Sequence, residues 1–358
     1  MRKLFVLILF AFFSGSVLGE VVASPINLAL QIKKYGNLKI PLACPALPVL
    51  PHKVESIAYY KDAKSSVIDP LLHQRFLELR KIISDEQNFL ATQNINLIKA
   101  EQYSRRIISE CILHHLLQFA KDDAFTGSDD IRGGGAVRLM SVTPVMTYLL
   151  LRDGSWIGHE EDVKIRAWIS RLVDRLIWLE ANFKYDNNIE DWTGAAFALS
   201  AVALNRPELL DKAIATVIKK SKMVNDHGFL PLELDRGQMA IDYSLSALQA
   251  LSIIISVADA NGIELLLPPA DGGLLRMMQR MIQIIEIPER FLEYTDNSLA
   301  IGKKHFDRQN MGWLQIYYRK IKDYRALKII CERKPLHSWR TGGDWFVLFG
   351  DPRLCPSS

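Results

Sequence analysis

The stretch "WTGAAFALSAVAL" (192–204) has only two polar side chains, those of Thr193 and Ser200, and most of its apolar residues are small. A helix that is apolar on every side is packed inside a protein. The preceding stretch, "VKIRAWISRLVDRLIWLEANF" (163–183), instead repeats apolar residues at steps of three and four, with Arg and Asp between them. That spacing is typical of a helix with one buried face. We therefore predict an inner helix and an outer helix side by side.

The same two kinds of helix recur further along the chain. "DKAIATVIKKSKMV" (211–224) is amphipathic, whereas "MAIDYSLSALQALSIIISVADANG" (239–262) is apolar and ends at Asn261-Gly262, a natural helix stop. No stretch alternates with period two between hairpin turns. We predict an all-α fold from about residue 69 onward. A plain helical bundle would give a similar pattern, so periodicity alone does not choose the arrangement of the helices.

Residues 1–23 are predicted to be a secretory signal peptide. Arg2 and Lys3 precede the apolar run Leu4–Phe13, which is too short to span a bilayer and is followed by small residues. We expect cleavage after Gly19 or Ala23. A membrane anchor is the alternative, but the small residues favour cleavage. The mature protein is expected to be periplasmic or secreted, without membrane contact.

Five prolines follow within residues 24–68, and proline removes a helical hydrogen bond. We predict that this segment is an extended arm lying over a helical domain formed by residues 69–358. The prolines are Pro25, Pro41, Pro45, Pro48 and Pro51.

The charge of the chain argues against nucleic acid as a partner. The formal net charge of its 358 residues is +4, and without Arg2 and Lys3 there remain 42 basic and 40 acidic residues. No basic run is interleaved with aromatic residues. An anionic polymer would therefore need a local basic cleft. We expect a monomer.

Four cysteines remain in the exported chain, where an oxidising compartment favours disulfides. Three connectivities are possible, and we favour Cys44–Cys111 and Cys331–Cys355 because these partners are nearest along the chain. Free buried thiols are the alternative. No C-x-x-C pair exists, which argues against a zinc knuckle. We expect no metal site.

Two loop-like segments have unusual polar residues. In "KYDNNIEDW" (184–192) the adjacent asparagines either cap the next helix or point an amide into a cleft. In "DHGFLPLELDRGQMAIDY" (226–243), Arg236 and Tyr243 are two helical turns apart. An arginine beside a phenol is expected to lower the tyrosine pKa, which suits a general base next to an anionic substrate. A core tyrosine with an exposed arginine is the alternative.

Two glycine-rich segments are weaker signals. "SWRTGGDWF" (338–346) combines a basic residue, two glycines and an acid, and glycines allow close backbone approach. "RGGGAVR" (132–138) lacks the strand and the Lys-Ser/Thr of a phosphate loop.

Taken together, these segments resemble the periplasmic alginate lyases, which are mannuronate-specific polysaccharide lyases. "GFLPLELDRGQMAIDY" (228–243) is close to the family's Gly-Phe-Leu-Pro-Asn-Glu-Leu block with its arginine and tyrosine. "NNIEDWTGAAFALSAVAL" (187–204) is similar to the family's Asn-Asn-His block and the helix after it. The resemblance implies an incomplete (α/α) toroid or barrel of inner and outer antiparallel helices. It also implies β-elimination on a uronic acid polymer, an anionic polysaccharide partner and no cofactor.

The resemblance implies a role for several residues by position. Tyr243 matches the catalytic tyrosine, Arg236 the arginine that neutralises the substrate carboxylate, and Asn188 the asparagine that assists it. Four further residues are expected to bind substrate, with core packing as the alternative for the two tryptophans: Lys61, Trp192, Trp313 and Gln238. Cys44 and Cys111 lie where family members carry a disulfide.

One position departs from the family's pattern. Where the resemblance implies a histidine after the second asparagine, this chain has Ile189, which can neither donate a hydrogen bond nor carry a proton. Glu190 and Asp191 would repel a uronate, so we expect them to face away.

The alternatives to a lyase are a non-catalytic polyuronate-binding relative and a glycoside hydrolase, which needs paired carboxylates such as Glu233 and Asp235.

Overall fold

Helices dominate the part of the chain that the computed structural model describes, namely residues 21–41, 43–127, 130–184, 186–267, 272–295, 306 and 308–355. A two-stranded antiparallel sheet pairs His337 with Asp344 and Ser338 with Gly343. The strands are β1 (His337–Ser338) and β2 (Gly343–Asp344). The α-helices are α1 (Leu28–Tyr35), α2 (Pro70–Lys99), α3 (Gln102–Lys121), α4 (Ile131–Met140), α5 (Val142–Asp153), α6 (His159–Asn182), α7 (Asn188–Leu204), α8 (Pro207–Met223), α9 (Pro231–Leu234), α10 (Ala240–Ala260), α11 (Gly273–Glu286), α12 (Trp313–Ile321), α13 (Tyr324–Arg333) and α14 (Trp345–Phe349).

The helices form an inner and an outer set. Helices α5, α7 and α10 are buried along almost their whole length. Each inner helix contacts the next one in the series α2, α5, α7, α10 and α12. Outer helices pack against this series: α3 on α2, α8 on α7, and α13 on α12. The inner helix predicted at 192–204 and the outer helix predicted at 163–183 are both present, as α7 and α6.

Small residues explain how closely the inner helices approach one another. A Cβ placed on Gly194 of α7 would lie 2.8 Å from Cδ1 of Ile254 on α10. Helix α10 ends at Ala260 and is capped by Asn261, as the Asn-Gly pair predicts. Its apolar stretch and that of α4–α5 are long enough to cross a membrane. However, 89% and 94% of their apolar windows are buried inside the protein, as in core helices.

The amino-terminal arm differs from the extended segment that we predicted. Helix α1 occupies residues between Pro25 and Pro41, and the Asn27 side chain accepts a hydrogen bond from the Leu30 N–H at its start. This interval contains no proline, so nothing prevents a helical turn there. Beyond it, the described residues of the arm are non-helical until α2 begins at Pro70. Of the predicted signal peptide, residues 1–20 lie outside the described residues.

Two disulfides tie outlying segments to the helices. Cys44 is bonded to Cys111, which joins the arm to α3 across 67 residues, and Cys331 is bonded to Cys355, which joins α13 to the carboxyl-terminal segment across 24. Both pairs are those favoured from the sequence. Closing loops of these lengths stabilises the fold by about 3 to 4 kcal/mol each in the chain-entropy treatment.

Candidate active site

A cavity of 550 Å³ opens where several helices begin. It is lined by the first residues of α7, by the start of α10, by α4 along its whole length, by the first half of α2, and by arm residues 56–60 and 65. Because a helix amino terminus carries partial positive charge, this end of the fold favours an anionic ligand.

Tyr243 lies in this cavity beside a second tyrosine from the arm. The hydroxyl of Tyr243 shares a short hydrogen bond with the hydroxyl of Tyr60, which lies 3.2 Å from that of Tyr59. The Arg236 guanidinium is stacked over the Tyr243 ring, 4.6 Å from its centroid. We predicted that Arg236 and Tyr243 lie on one helix, but Arg236 precedes the 3-10 turn Gly237–Met239 and is outside α10. The predicted proximity of the two side chains is confirmed.

The environment of Tyr243 differs from our expectation of a lowered pKa. Burial is the largest effect and raises the pKa of Tyr243 well above its ordinary value, and nearby Tyr59 adds to this. The hydrogen bond from Tyr60 and the charge of Arg236 act in the opposite direction but do not overcome burial. The prediction was therefore wrong in sign, because it counted the cation and omitted the desolvation of the phenol.

The sequence left open whether the adjacent asparagines cap a helix or point an amide into a cleft, and each of the two does one of these. Asn187 caps α7, its side chain accepting a hydrogen bond from the Ile189 N–H at 3.0 Å. Asn188 is buried and lines the cavity. Its backbone N–H donates to Glu233 Oε1 at 2.7 Å, and its amide lies 3.3 Å from Glu233 Oε2. Glu233 in turn lies 3.7 Å from Arg236 Nε, so one buried carboxylate orients both the amide and the guanidinium.

The three residues after Asn188 point in different directions. Ile189 lines the cavity. Glu190 and Asp191 face away from it, as predicted, toward α8: Lys219 Nζ lies 2.8 Å from Glu190, and Lys220 Nζ lies 3.4 Å from Asp191.

Sequence reasoning missed three of the four arginines that line the cavity, namely Arg80, Arg132 and Arg340. Arg80 stacks on Phe76 at 4.1 Å, and Arg340 lies 5.0 Å from the Trp339 ring centroid. In Arg80 and Arg340 the buried Nε has no hydrogen-bond partner among the described residues. Burial lowers the pKa of Arg80 to about 10 and that of Arg340 below its usual range. The "RTGGD" segment (340–344) was the signal available for Arg340, whereas Arg80 lies in a helix with no such mark.

Four residues expected to bind substrate do not line the cavity. Trp192 and Trp313 are 1% and 0% exposed and belong to the core, and the Trp192 indole donates to Ser246 Oγ. Their predicted substrate-binding role is corrected, because an indole with no exposed face cannot stack on a sugar. Trp339 is the indole in the cavity wall. Lys61 follows the lining residue Tyr60, and Gln238 precedes the lining residue Met239, but neither lines the cavity itself.

Among the described residues, one group has the spacing of metal ligands: Cys44, Cys111 and His115. Both sulfurs are used in the disulfide, so neither is a thiolate ligand. His115 instead shares a hydrogen bond with the buried Glu86, its Nδ1 lying 2.9 Å from Glu86 Oε1.

Solved structures with a similar fold include alginate lyases. The structure of alginate lyase A1-III from Sphingomonas species A1 has a TM-score of 0.75 and 16% sequence identity, over 94% of this chain and 98% of that chain. A histidine-to-alanine variant of alginate lyase A1-III complexed with tetrasaccharide gives a TM-score of 0.77. At this identity the likeness shows the fold, and it confirms the predicted incomplete (α/α) toroid.

Sequence comparison gives the family. The alginate lyase of Pseudomonas syringae pv. syringae (strain B728a) is 30% identical over 253 residues, a match that spans 68% of this chain and 66% of that relative. The alginate lyase of Azotobacter chroococcum mcd 1 is 27% identical over 344 residues, or 92% of this chain and 89% of the relative. The family model described as Alginate lyase matches residues 89–291, which is more than half of the sequence, and the chain therefore belongs to the alginate lyase family.

Proposed function

We propose that this protein cleaves a uronic acid polymer, of the alginate or polymannuronate type, by β-elimination in the cavity around Tyr243. One observation carries the proposal: the partly buried Tyr243, the Asn188 side chain and four arginines line the same cavity. The arginines are Arg80, Arg132, Arg236 and Arg340. Family membership supports the same substrate class. We propose a periplasmic or secreted location, because such polymers lie outside the cytoplasm and the chain starts with a predicted signal peptide.

In the proposed reaction, ionised Tyr243 removes the C5 proton of the uronate in the +1 position. The electron pair of that C–H bond forms the C4–C5 double bond as the C4–O4 bond breaks. The leaving O4 then takes the proton from Tyr243, so the phenolate is regenerated and no cofactor is consumed. Tyr60 supports the base because its hydroxyl can donate to the phenolate, which lowers the pKa of Tyr243.

The arginines and the amide address the charge of the substrate. Removing a proton next to a carboxylate places a second negative charge on the same group, so preformed donors at that point stabilise the transition state. Asn188 and Arg236 are fixed by Glu233 and supply such donors. The Nε–H groups of Arg80 and Arg340, which have no partner in the part of the chain that the structure describes, add two more in a partly desolvated wall. This set stands in place of the histidine that the resemblance implies at Ile189.

A non-catalytic polyuronate-binding protein is the second candidate. Two observations favour it: Ile189 offers no donor to the cavity, and burial raises the pKa of Tyr243. A hydrolase has less support, since Glu233 is buried and bonded to Asn188 while Asp235 is exposed and does not line the cavity. Inverting and retaining hydrolases both need two carboxylates facing the bond that breaks.

The test is to incubate the mature protein with polymannuronate and with polyguluronate and to follow ultraviolet absorbance from the unsaturated product. We expect absorbance to increase with the wild type and not with Tyr243→Phe, which keeps the ring under Arg236 but lacks the hydroxyl. Calorimetry with a non-cleaved oligomer should show that Tyr243→Phe still binds. Binding without any absorbance gain in the wild type would establish the second candidate. New reducing ends without absorbance would establish hydrolysis.

A further inference from the structure

A buried lysine lies directly behind the cavity wall. Lys220, on the outer helix α8, is 0% exposed. Its ammonium donates to the backbone carbonyls of Asp186 at 2.7 Å and Asn187 at 3.1 Å. Two carboxylates neutralise it, with Nζ 3.1 Å from Glu190 and 3.4 Å from Asp191.

Global stability is a poor explanation for this arrangement. Bringing an ammonium and a carboxylate into the interior costs several kcal/mol per ion, and replacing such a pair by apolar residues is often neutral or stabilising. Asp191 is as completely buried as Lys220. The carboxylate oxygens of Asp191 make no hydrogen bond among the described residues. The cluster is better explained by what the ammonium holds, which is the backbone turn at 186–187.

That turn leads directly into the cavity. Asn187 caps α7, and the next residue, Asn188, donates its backbone N–H to Glu233 at 2.7 Å. Glu233 also faces Arg236 at 3.7 Å. A shift of the turn would therefore move the amide and, through Glu233, loosen the guanidinium over Tyr243. Lys220 itself does not line the cavity.

We propose that Lys220 is a positioning residue: its ammonium fixes the 186–187 turn and thereby the amide of Asn188 and the carboxylate of Glu233. The catalytic consequence rests on the proposed lyase function, whereas the positioning itself does not. The adjacent Lys219 offers a matched comparison. It pairs with Asp186 at 2.6 Å and Glu190 at 2.8 Å through side chains only, and it is 43% exposed.

The test compares three variants: Lys220→Met, Lys219→Met, and the double variant Lys220→Met with Asp191→Leu. The first two remove one positive charge from neighbouring positions of α8. In the double variant both buried side chains are replaced by apolar ones, so we expect its thermal stability to return toward that of the wild type.

Lys220→Met and the double variant are expected to lose kcat on the order of tenfold to a hundredfold with KM changed much less, since misplacement of a reacting group acts mainly on the transition state. Lys219→Met should keep kcat within about twofold.

A readout that needs no turnover is hydrogen exchange in the peptide that contains residues 186–192. We expect faster exchange of this peptide in both variants that lack Lys220, and wild-type exchange in Lys219→Met. A double variant with restored stability, wild-type kcat and wild-type exchange would show that the lysine only stabilises the fold, and would overturn the proposal. If the wild type shows no turnover, the proposed function fails, and the exchange rates alone still decide whether Lys220 positions the turn.

Discussion

At the scale of single residues, the centre of the site is a pair of phenols 183 positions apart in the chain. Burial raises the pKa of both Tyr60 and Tyr243. The Arg236 guanidinium lies over the Tyr243 ring and opposes the shift there, so in the proposed reaction Tyr243 is the phenol that ionises and Tyr60 is the donor to it. The sequence indicated Tyr243, but in the arm it marked only Lys61, the residue that follows this partner.

Tyr60→Phe tests this assignment. The base must be deprotonated to act, so kcat/KM is expected to rise with pH as Tyr243 ionises. Removing the Tyr60 donor raises the pKa of Tyr243, and the rise should move to higher pH by about one unit, as expected for one lost hydrogen bond to a charged group. The measurement is the pH dependence of kcat/KM for both proteins. An unshifted profile would show that Tyr60 does not support the base.

Ile189→His tests the departure from the family's pattern. Ile189 lines the cavity next to Asn188, so a histidine there would add a donor toward the substrate carboxylate. Losing one such donor commonly costs on the order of a hundredfold, and gaining one should raise kcat by about tenfold or more on polymannuronate. Ile189→Leu keeps the position apolar and serves as the control. Equal rates for the two variants would contradict the neutralisation model.

At the scale of elements, the contact between α7 and α8 combines an apolar interface with the charged cluster around Asp191. Burial raises the pKa of Asp191 to about 7 against 3.8 in a free chain; Lys220 opposes this shift, and Glu233 and Glu190 add to it. Between these pH values the folded protein retains a proton that the unfolded chain has released. Stability is therefore lost as the pH rises through this interval.

Asp191→Asn should remove that loss. From about pH 5 to about pH 8, the free energy of unfolding of the variant should increase relative to the wild type by about 2 to 3 kcal/mol. Urea unfolding at several pH values measures the difference, and Asp211→Asn, at an exposed position of α8, is the control. A constant difference between Asp191→Asn and the wild type across this range would mean that Asp191 is not protonated in the folded state.

The turn between β1 and β2 explains the "RTGGD" segment. Gly342 and Gly343 have φ values of +80° and +132°, and a Cβ on Gly343 would lie 2.7 Å from the Ala91 carbonyl oxygen. These glycines let the turn pack against α2, with Arg340 in the cavity wall. Gly343→Ala should therefore lower stability by about 1 to 3 kcal/mol, which a shift of the thermal midpoint would show. A variant as stable as the wild type would mean that the turn relaxes freely.

At the scale of the whole molecule, the first described residues fasten to the end of the fold opposite the cavity. The Val22 N–H donates to Asn205 at 2.9 Å and the Ala23 N–H to Asn261 at 2.8 Å. These asparagines cap the carboxyl ends of α7 and α10, whose first residues lie at the cavity. Val22 is also buried.

Of the two expected cleavage positions, we therefore predict that the signal peptide is removed after Gly19. Cleavage after Ala23 would remove both hydrogen bonds and the buried Val22 side chain from the mature protein. The mass and amino-terminal sequence of the exported protein should show Glu20 as its first residue. A mature chain that starts at Ser24 would contradict the prediction.

The sequence by itself determined the all-α class, the inner and outer helices and the helix stop at Asn261. Each of these depends on the spacing of apolar and capping residues within one segment. It also pointed to Arg236, Tyr243 and Asn188 as candidate site residues through resemblance, because their neighbours along the chain form recognisable blocks.

Only the tertiary structure decided what depends on contacts between distant segments. It brought Tyr60, Arg80 and Arg340 to Tyr243, and it put Trp192 and Trp313 in the core. It also reversed the expected pKa shift of Tyr243. Burial, hydrogen-bond partners and desolvation are properties of the three-dimensional neighbourhood, and local spacing carries no record of them.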